Sequence, residues 1–184
     1  MATSGSDMTR VMTGEDIHRA LRRISHEILE THRGADEIVV IGVHTRGVHL
    51  ARELAETIGV FENCIVPIGE LDIGLYRDDR NSRADIEPKT THIPSGIDGR
   101  SVVIVDDVLY TGRTIRAALD ALTDVGRAVS TELAVLVDRG HRELPIRADY
   151  VGKNLPTARD ETVRVRILDL DGQEGVWIER TAPA

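Results

Sequence analysis

An apolar run that ends in two adjacent acids constrains the fold of this chain more than any other feature of its sequence. Residues 101–105 are mostly β-branched, and Asp106 and Asp107 follow them directly. A short continuous apolar run of this kind is typical of a strand that is covered on both faces of a parallel sheet. The pattern therefore predicts a buried parallel strand with both carboxylates at its carboxyl end.

The segment after the acids predicts a turn that opens a helix. Residues 111–114 are Thr-Gly-Arg-Thr, the apolar residues between 115 and 122 recur at helical spacing, and Gly126 ends the pattern. The N–H groups and the positive dipole end at a helix start favour an anion such as a phosphate. Gly112 would let the backbone approach that anion closely.

Two ionised carboxylates side by side require a partner, since like charges in a partly desolvated site are costly unless they are neutralised. Either a metal ion or the vicinal hydroxyls of a sugar would serve. A ribose 5′-phosphate matches both features, because its hydroxyls donate to the acids while its phosphate reaches the helix start. The plainer alternative is a strand end with two solvated acids and an ordinary helix cap.

The remaining pattern predicts an α/β fold, a twisted parallel sheet flanked by helices, with a small hood. Thr13 and Asp16 resemble a capping box, and a helical stripe of apolar residues follows between positions 17 and 28. Strands and helices then alternate as a parallel α/β sheet requires. The predicted strands are residues 37–43, 64–68, 101–106 and 131–138, with a helix at 48–58. Short strand candidates that would form the hood are residues 63–75, 162–168 and 176–179.

Length and composition suit a single domain over residues 1–184. Residues 1–10 are predicted to be a loose tail rather than a signal peptide. The charged, aperiodic stretch 77–94 is predicted to be a mobile loop that serves as a lid, with an idle insertion as the alternative. Cys64 is the only cysteine, which predicts a buried thiol in a cytoplasmic protein, and no segment is apolar enough to predict a membrane span.

Four apolar residues, Asp-Asp and Thr-Gly-x-Thr together resemble the phosphoribosyl-diphosphate signature of the type I phosphoribosyltransferases. The stretches 44–47, 71–79 and 136–154 are more narrowly similar to the bacterial pyrimidine operon attenuation proteins, and the likeness spans residues 15–165. This resemblance implies a type I phosphoribosyltransferase fold. It also implies that the chain makes UMP and diphosphate from uracil and phosphoribosyl diphosphate, and that it binds leader mRNA in response to uridine nucleotides.

The resemblance assigns the reaction to the segment around the two acids. Asp106 and Asp107 would face the sugar, and Arg77 on the predicted lid would close over the diphosphate as a third catalytic residue. The leaving diphosphate needs Mg²⁺, carried with it and not held by protein side chains alone. The residues implied in binding phosphoribosyl diphosphate are Thr45, Arg46, Val105, Asp106, Asp107, Val108, Leu109, Tyr110, Thr111, Gly112, Arg113 and Thr114.

A base-binding element is implied after the strand predicted at 131–138. Tyr150 would stack on uracil, and main-chain groups of Val151 would read the edge of the base. Arg139 is a partner for a base carbonyl, with a contact to RNA or to diphosphate as open alternatives. The sequence shows no obvious general base for N1 of uracil.

RNA binding has to be argued separately, because a net charge of −8 has the wrong sign for a nucleic-acid binder. On a helical wheel, however, several basic residues share one face of the first predicted helix, opposite its apolar stripe. That face is either a solvated surface or part of an RNA site, and the resemblance implies the second. The residues predicted to bind RNA are Arg19, from the helical wheel, and Arg23, His26, Arg142, Arg147 and Lys153, which the resemblance implies.

The basic face departs from the family pattern at Arg22, where other members have a small hydroxyl residue, and at Thr31, where they have a basic one. Charge is therefore redistributed along this face. Three interpretations remain open: a uracil phosphoribosyltransferase, an RNA-binding regulator that senses UMP or UTP in the same pocket, and a transferase for another base. The first two can coexist, and the alternative to a bifunctional protein is uracil salvage without RNA regulation. The resemblance also implies a homodimer or a higher homo-oligomer.

Overall fold

The computed structural model describes residues 7–76, 91–93 and 95–180. In chain order these residues form β1 (Asp7–Thr13), α1 (Gly14–His32), β2 (Ile38–Val43), α2 (Arg46–Glu62), β3 (Ile68–Leu71), β4 (Ser101–Leu109), α3 (Arg113–Val125), β5 (Ser130–Asp138), β6 (Tyr150–Asn154), β7 (Glu161–Arg166), α4 (Leu168–Asp171) and β8 (Gly175–Arg180). Most of the predicted mobile loop, residues 77–90 with Arg77, lies outside the described residues.

A five-stranded parallel sheet, in the order β3-β2-β4-β5-β6, forms the core of the molecule. Apolar side chains on one of its faces pack against α1 and α2, and those on the other face pack against α3. β2 is buried along its whole length, as expected for a strand that is covered on both sides. The predicted α/β fold, a parallel sheet flanked by helices, is confirmed.

The first helix, α1, is amphipathic in the way that its sequence predicts. The hydroxyl of Thr13 accepts a hydrogen bond from the amide of Asp16, whose carboxylate accepts one from the amide of Thr13, so the capping box is present. The apolar stripe between Ile17 and Ile28 is buried against the sheet. The basic residues of α1 are consequently exposed on its opposite side. Among the helices that the structure describes, none is both long enough and apolar enough to cross a membrane.

The predicted hood is an antiparallel sheet in the order β1-β8-β7, which packs on the same apolar cluster as α1 and α2. Residues 7–10 belong to this sheet, so the prediction of a loose tail over residues 1–10 is wrong for that part, and residues 1–6 lie outside the described residues. The prediction missed β1 because its partner is β8, where Asp7 pairs with Arg180 at the far end of the chain. Such a long-range pairing leaves no local pattern.

Two further strand predictions need correction around β3. The candidate at 63–75 is not part of the hood, because β3 pairs with β2 in the parallel sheet. The strand predicted at 64–68 begins only at Ile68. Cys64 is exposed rather than buried, since α2 continues to Glu62 and the chain then turns at Asn63 in a left-handed conformation.

Close backbone contacts fix the loop between β2 and α2 on the sheet. A Cβ atom on Gly47 would lie 2.4 Å from the carbonyl oxygen of Val105 in β4, and one on Gly42 would lie 2.4 Å from Cα of Val48. Only glycine permits approaches of this kind. The start of α2 therefore rests on β4 directly beside Asp106.

A pair of valine substitutions tests this assignment of the core. Val103 is completely buried at the centre of β4, whereas Val129 is 74 % exposed just before β5. Val103→Ala is expected to lower the free energy of unfolding by about 2 kcal/mol, through lost apolar burial and the cavity left behind. Val129→Ala is expected to change it by less than about 0.5 kcal/mol. Urea denaturation measures the free energy of unfolding of both variants. Equal losses of this free energy would contradict the burial of Val103 in β4.

Candidate active site

The two adjacent acids lie in the last part of β4, beside the carboxyl ends of β2 and β5. The amide of Asp107 donates to Oδ1 of Asp106, and the amide of Val108 donates to Oδ1 of Asp107, both at 2.9 Å. Burial raises the pKa of the Asp107 carboxyl, and the positive charge of Arg46 opposes part of that rise. Backbone amides thus orient two carboxylates at one edge of the sheet, where they can accept from the hydroxyls of a sugar.

The loop after the acids leads into the start of α3 and borders a cavity. Residues 108–115 and Glu143 line a cavity of about 310 Å³. Gly112 precedes the helix with a φ of 93°, a conformation that favours glycine. The carbonyl of Thr111 accepts from the amides of Glu143 and Leu144 at 3.0 and 3.1 Å, which holds the loop in place. Because the first amides of a helix lack partners within it, this loop is suited to a phosphate.

The loop after β2 brings a cation to the same edge of the sheet. The peptide bond between His44 and Thr45 is cis, and α2 begins at Arg46. Nη2 of Arg46 donates to both carboxylate oxygens of Asp171, at 2.9 and 3.2 Å. The Nε atom of Arg46 is buried and has no hydrogen-bond partner among the described residues.

Asp171 is a site residue that sequence reasoning missed, although the acidic stretch 169–171 signalled it. Burial acts to raise the pKa of Asp171, but the hydrogen bond from the amide of Ile167 and the guanidinium of Arg46 outweigh it and lower the pKa below its usual value. Asp171 is therefore ionised at neutral pH. The hood thus places an ionised carboxylate beside Arg46 at the start of α2.

The structure places the predicted base-binding pair, Tyr150 and Val151, away from this edge. Tyr150 is buried in the cluster beneath α1, and its hydroxyl donates to Glu132 at 2.6 Å. The carbonyl of Val151 accepts from Nη2 of Arg23 at 2.9 Å, which leaves it occupied within the protein. The reason is register: β6 begins at Tyr150 opposite Ala134, well before the carboxyl end of β5.

Arg139, directly after β5, bridges to residues at the start of β7. Its Nε donates to the hydroxyl of Thr157 at 3.0 Å, and its Nη2 donates to the carbonyls of Ala158 and Glu161 at 3.3 and 2.7 Å. Its guanidinium also lies 4.0 Å from the ring centroid of Tyr110. Nε and Nη2 of Arg139 are therefore engaged within the protein, and its predicted contact with a base carbonyl, RNA or diphosphate stays a prediction.

Tyr110 presents an aromatic face at the edge that carries the two acids. Arg139 lies over its ring, the ring of His141 meets it edge-on at 6.0 Å, and the side chain is 37 % exposed. Tyr110 also lines the cavity of the anion loop. The sequence-based prediction included Tyr110 among the residues that bind phosphoribosyl diphosphate.

Half of the predicted RNA-binding residues come together on one groove. Arg19, Arg23 and Lys153 line it, together with Asp16, and its volume is about 340 Å³. Arg19 is largely exposed and pairs with Glu15 at 3.0 Å. Arg23 is held more firmly, since it donates to main-chain carbonyls of β6 at 2.9 and 2.8 Å.

The other three predicted RNA-binding residues lie outside that groove. The ring of His26 stacks on Phe61 with centroids 4.2 Å apart. Arg142 donates to three carbonyls of its own and neighbouring loops and pairs with Asp138, so it holds the loop after β5 together. Arg147 is exposed. Within the described part of the chain, the six residues therefore do not all line one cavity.

Comparison with known proteins places these observations in a family. The phosphoribosyl transferase domain matches residues 9–168 of the chain. Bifunctional protein PyrR of Streptomyces coelicolor is 58 % identical over 169 residues, which cover 91 % of this chain and 88 % of that protein. Bifunctional protein PyrR of Enterococcus faecalis is 51 % identical over 170 residues, which cover 92 % of this chain and 96 % of that protein.

Solved structures agree on the fold. Hypoxanthine phosphoribosyltransferase of Trypanosoma cruzi, in a ternary complex with its substrates, superimposes with a TM-score of 0.74 and 21 % identity over 95 % of this chain and 96 % of that chain. The Staphylococcus aureus enzyme of the same name gives 0.68 and 23 % over 95 % and 93 %. Because the sequence identities are only 21 % and 23 %, these two structures support the fold alone. The domain match and the PyrR relatives, each more than half identical, establish that this chain belongs to the phosphoribosyltransferase family, within the group of bifunctional PyrR proteins.

Proposed function

We propose that this chain transfers the phosphoribosyl group of phosphoribosyl diphosphate to uracil, which yields UMP and diphosphate, and that it binds pyrimidine-gene leader mRNA under the control of uridine nucleotides. One observation carries the enzymatic part. Two oriented carboxylates, an anion loop at a helix start and Arg46 meet at one edge of the sheet. A ribose, its 5′-phosphate and its leaving diphosphate need these three kinds of partner side by side.

Each part of the substrate has a partner in this proposal. Asp106 and Asp107 accept the ribose hydroxyls, and residues 111–114 bind the 5′-phosphate at the start of α3. Arg46, with Thr45 beside it, stabilises the negative charge that develops on the diphosphate. Arg77, the third predicted catalytic residue, lies outside the described residues.

Magnesium fits the site as a partner of the diphosphate. Within the part of the chain that the structure describes, no cluster of three or more His, Cys, Asp or Glu side chains could hold a metal ion. Adjacent carboxylates next to a phosphate-binding loop suit an ion that is shared with the substrate. When bound, Mg²⁺ neutralises charge on the diphosphate. We therefore propose that Mg²⁺ enters with phosphoribosyl diphosphate.

The uracil ring is assigned to the exposed face of Tyr110. Arg139 lies over the other face of the Tyr110 ring and is itself held by three hydrogen bonds, so the Tyr110 ring is a rigid platform. Stacking on a preorganised aromatic ring costs little conformational entropy. This assignment replaces the one that the sequence suggested for Tyr150.

RNA binding is supported by the groove that Arg19, Arg23 and Lys153 share, and by the name of the relatives, which are called bifunctional. Phosphate contacts supply most of the affinity of such a surface, whatever the net charge of the whole protein. If UMP or UTP in the enzyme site changes the RNA affinity, RNA must change the nucleotide affinity by the same factor. The expected arrangement is a cytoplasmic homodimer or higher homo-oligomer.

Uracil salvage without RNA regulation is the alternative. It is favoured by the net charge of −8 and by the ion pairs of Arg19 with Glu15 and of Arg23 with Glu27, which reduce the positive charge on α1. A transferase for another base remains a second alternative. Whether purine bases compete with uracil for the enzyme distinguishes this alternative from the main proposal.

Asp107→Asn tests the sugar contact. Loss of one charged hydrogen-bond acceptor is expected to lower kcat/KM for phosphoribosyl diphosphate about tenfold to a hundredfold. The matched control is Asp120→Asn, which removes a half-exposed carboxylate from α3 and is expected to leave the rate unchanged. Steady-state rates of UMP formation measure both. A folded Asp107→Asn protein with the wild-type rate would exclude the sugar-binding role.

Tyr110→Ala tests the base contact. Loss of one stacking face is expected to raise KM for uracil about tenfold, while KM for phosphoribosyl diphosphate changes much less. Tyr110→Phe keeps the ring and is expected to behave like the wild type. Equal effects of Tyr110→Ala on the two KM values would instead indicate a general distortion of the loop.

Arg19→Ala and Lys153→Ala test the RNA groove without disturbing the contacts of Arg23 with β6. Each is expected to weaken binding to pyrimidine-gene leader RNA and to reduce the slope of log affinity against log salt by about 0.7 to 1. Arg164→Ala, which removes an exposed arginine from the hood strand β7, is the control and should change neither. Binding is measured at several salt concentrations with and without UMP. Absence of specific binding by the wild type would leave the salvage enzyme as the function.

A further inference from the structure

The hood segment 168–174 faces the core helices through three acidic side chains. Each of three acids in this segment lies near a basic side chain of α1 or α2. The pairs are Asp171 with Arg46 at 2.9 Å, Glu174 with His18 at 3.3 Å, and Asp169 with His49 at 3.9 Å. The segment therefore joins the hood to the helix that carries the diphosphate loop.

The contact between Asp171 and Arg46 differs from the other two in its geometry. Both oxygens of Asp171 accept from the same nitrogen of Arg46, and Oδ2 also accepts from the amide of Ile167 at 2.9 Å. The Asp171 side chain is mostly shielded, whereas Asp169 is 80 % exposed. Asp171 is thus a fixed carboxylate, and a fixed acceptor orients its partner.

Arg46 is only partly satisfied by this contact. Asp171 engages Nη2, while Nε is buried and finds no acceptor within the described residues. The guanidinium also lies close enough to Asp107 to lower the pKa of that carboxyl against the effect of burial. The cation is therefore held from the hood on one side and lies beside the ribose-binding acids on the other.

We propose that Asp171 is a positioning residue for the leaving group. Asp171 holds Arg46 so that the remaining donors of Arg46 meet the diphosphate of the substrate. The inference rests on the proposed function. An arginine that is already immobilised loses less rotamer entropy when it binds a phosphate, so its contact is stronger. Through this contact the hood, which shares no strand with the parallel sheet, takes part in binding the leaving group.

Direct binding of diphosphate with Mg²⁺, measured by titration calorimetry, is the test. Asp171→Asn removes the charge that Arg46 needs but keeps an oxygen that can accept from the amide of Ile167. The variant is expected to bind diphosphate about tenfold more weakly and to raise KM for phosphoribosyl diphosphate by a similar factor. Its affinity for UMP, which lacks the diphosphate, is expected to stay within about twofold. Asp169→Asn, from the same short helix, is the matched control and should change neither.

A double substitution shows whether Asp171 acts through Arg46. In an Arg46→Ala background, Asp171→Asn is expected to have no additional effect on diphosphate affinity, since coupled residues are not additive. An effect of the same size in both backgrounds would overturn the proposal. If Asp171→Asn fails to fold, Asp171→Glu keeps the charge and is expected to bind diphosphate more weakly than the wild type and UMP normally.

Other outcomes distinguish a failure of this inference from a failure of the proposed function. Equal weakening of diphosphate and UMP would make Asp171 a structural residue of the hood, and tighter diphosphate binding would make it a competitor for Arg46. Unchanged binding by Asp171→Asn would overturn this inference and leave the proposed function intact. Failure of the wild type to bind diphosphate at all would overturn the proposed function itself.

Discussion

Parallel pairing of β4 with β2 on one side and with β5 on the other is the constraint on which the site depends. In a parallel sheet all strands end at the same edge, so the loops that follow neighbouring strands must meet there. The loop after β2 carries Arg46, β4 carries the two acids, and the turn after β4 opens α3. Gly47 brings the first of these loops into contact with Val105, where any side chain would collide. Arg46, the two acids and the start of α3 are therefore neighbours because of backbone geometry.

Charge pairing then connects the second sheet to this edge. Partly buried ions are costly unless they are paired, and Arg46 meets that requirement with Asp171 of the hood. The same physical rule explains Arg139, which a reading of the sequence leaves open between several ligands. Its Nε and Nη2 donate to residues 157–161, at the start of β7, and its guanidinium lies over the ring of Tyr110. Both arginines connect the hood to the parallel sheet, and the buried Nε of Arg46 has no hydrogen-bond partner among the described residues.

The basic face of α1 shows how far a helical wheel can be trusted. The wheel correctly separates exposed basic residues from the buried stripe. It cannot distinguish Arg19, which is largely exposed, from Arg23, which donates to the carbonyls of Val151 and Gly152. Those bonds join α1 to β6, which lies far away along the chain. A substitution of Arg23 would therefore change both the charge of the groove and the packing of the helix.

The sequence by itself determined the parallel α/β core, the capping box of α1 and the order of acids, anion loop and helix in the middle of the chain. These features depend on local periodicity and on neighbouring residues, which a sequence displays directly. Only the tertiary structure decided the strand pairing of β1, the exposure of Cys64, the burial of Tyr150 and the contact between Arg46 and Asp171. Each of these depends on which distant segments pair and in what register, because a shift of register moves a side chain from the site to the core.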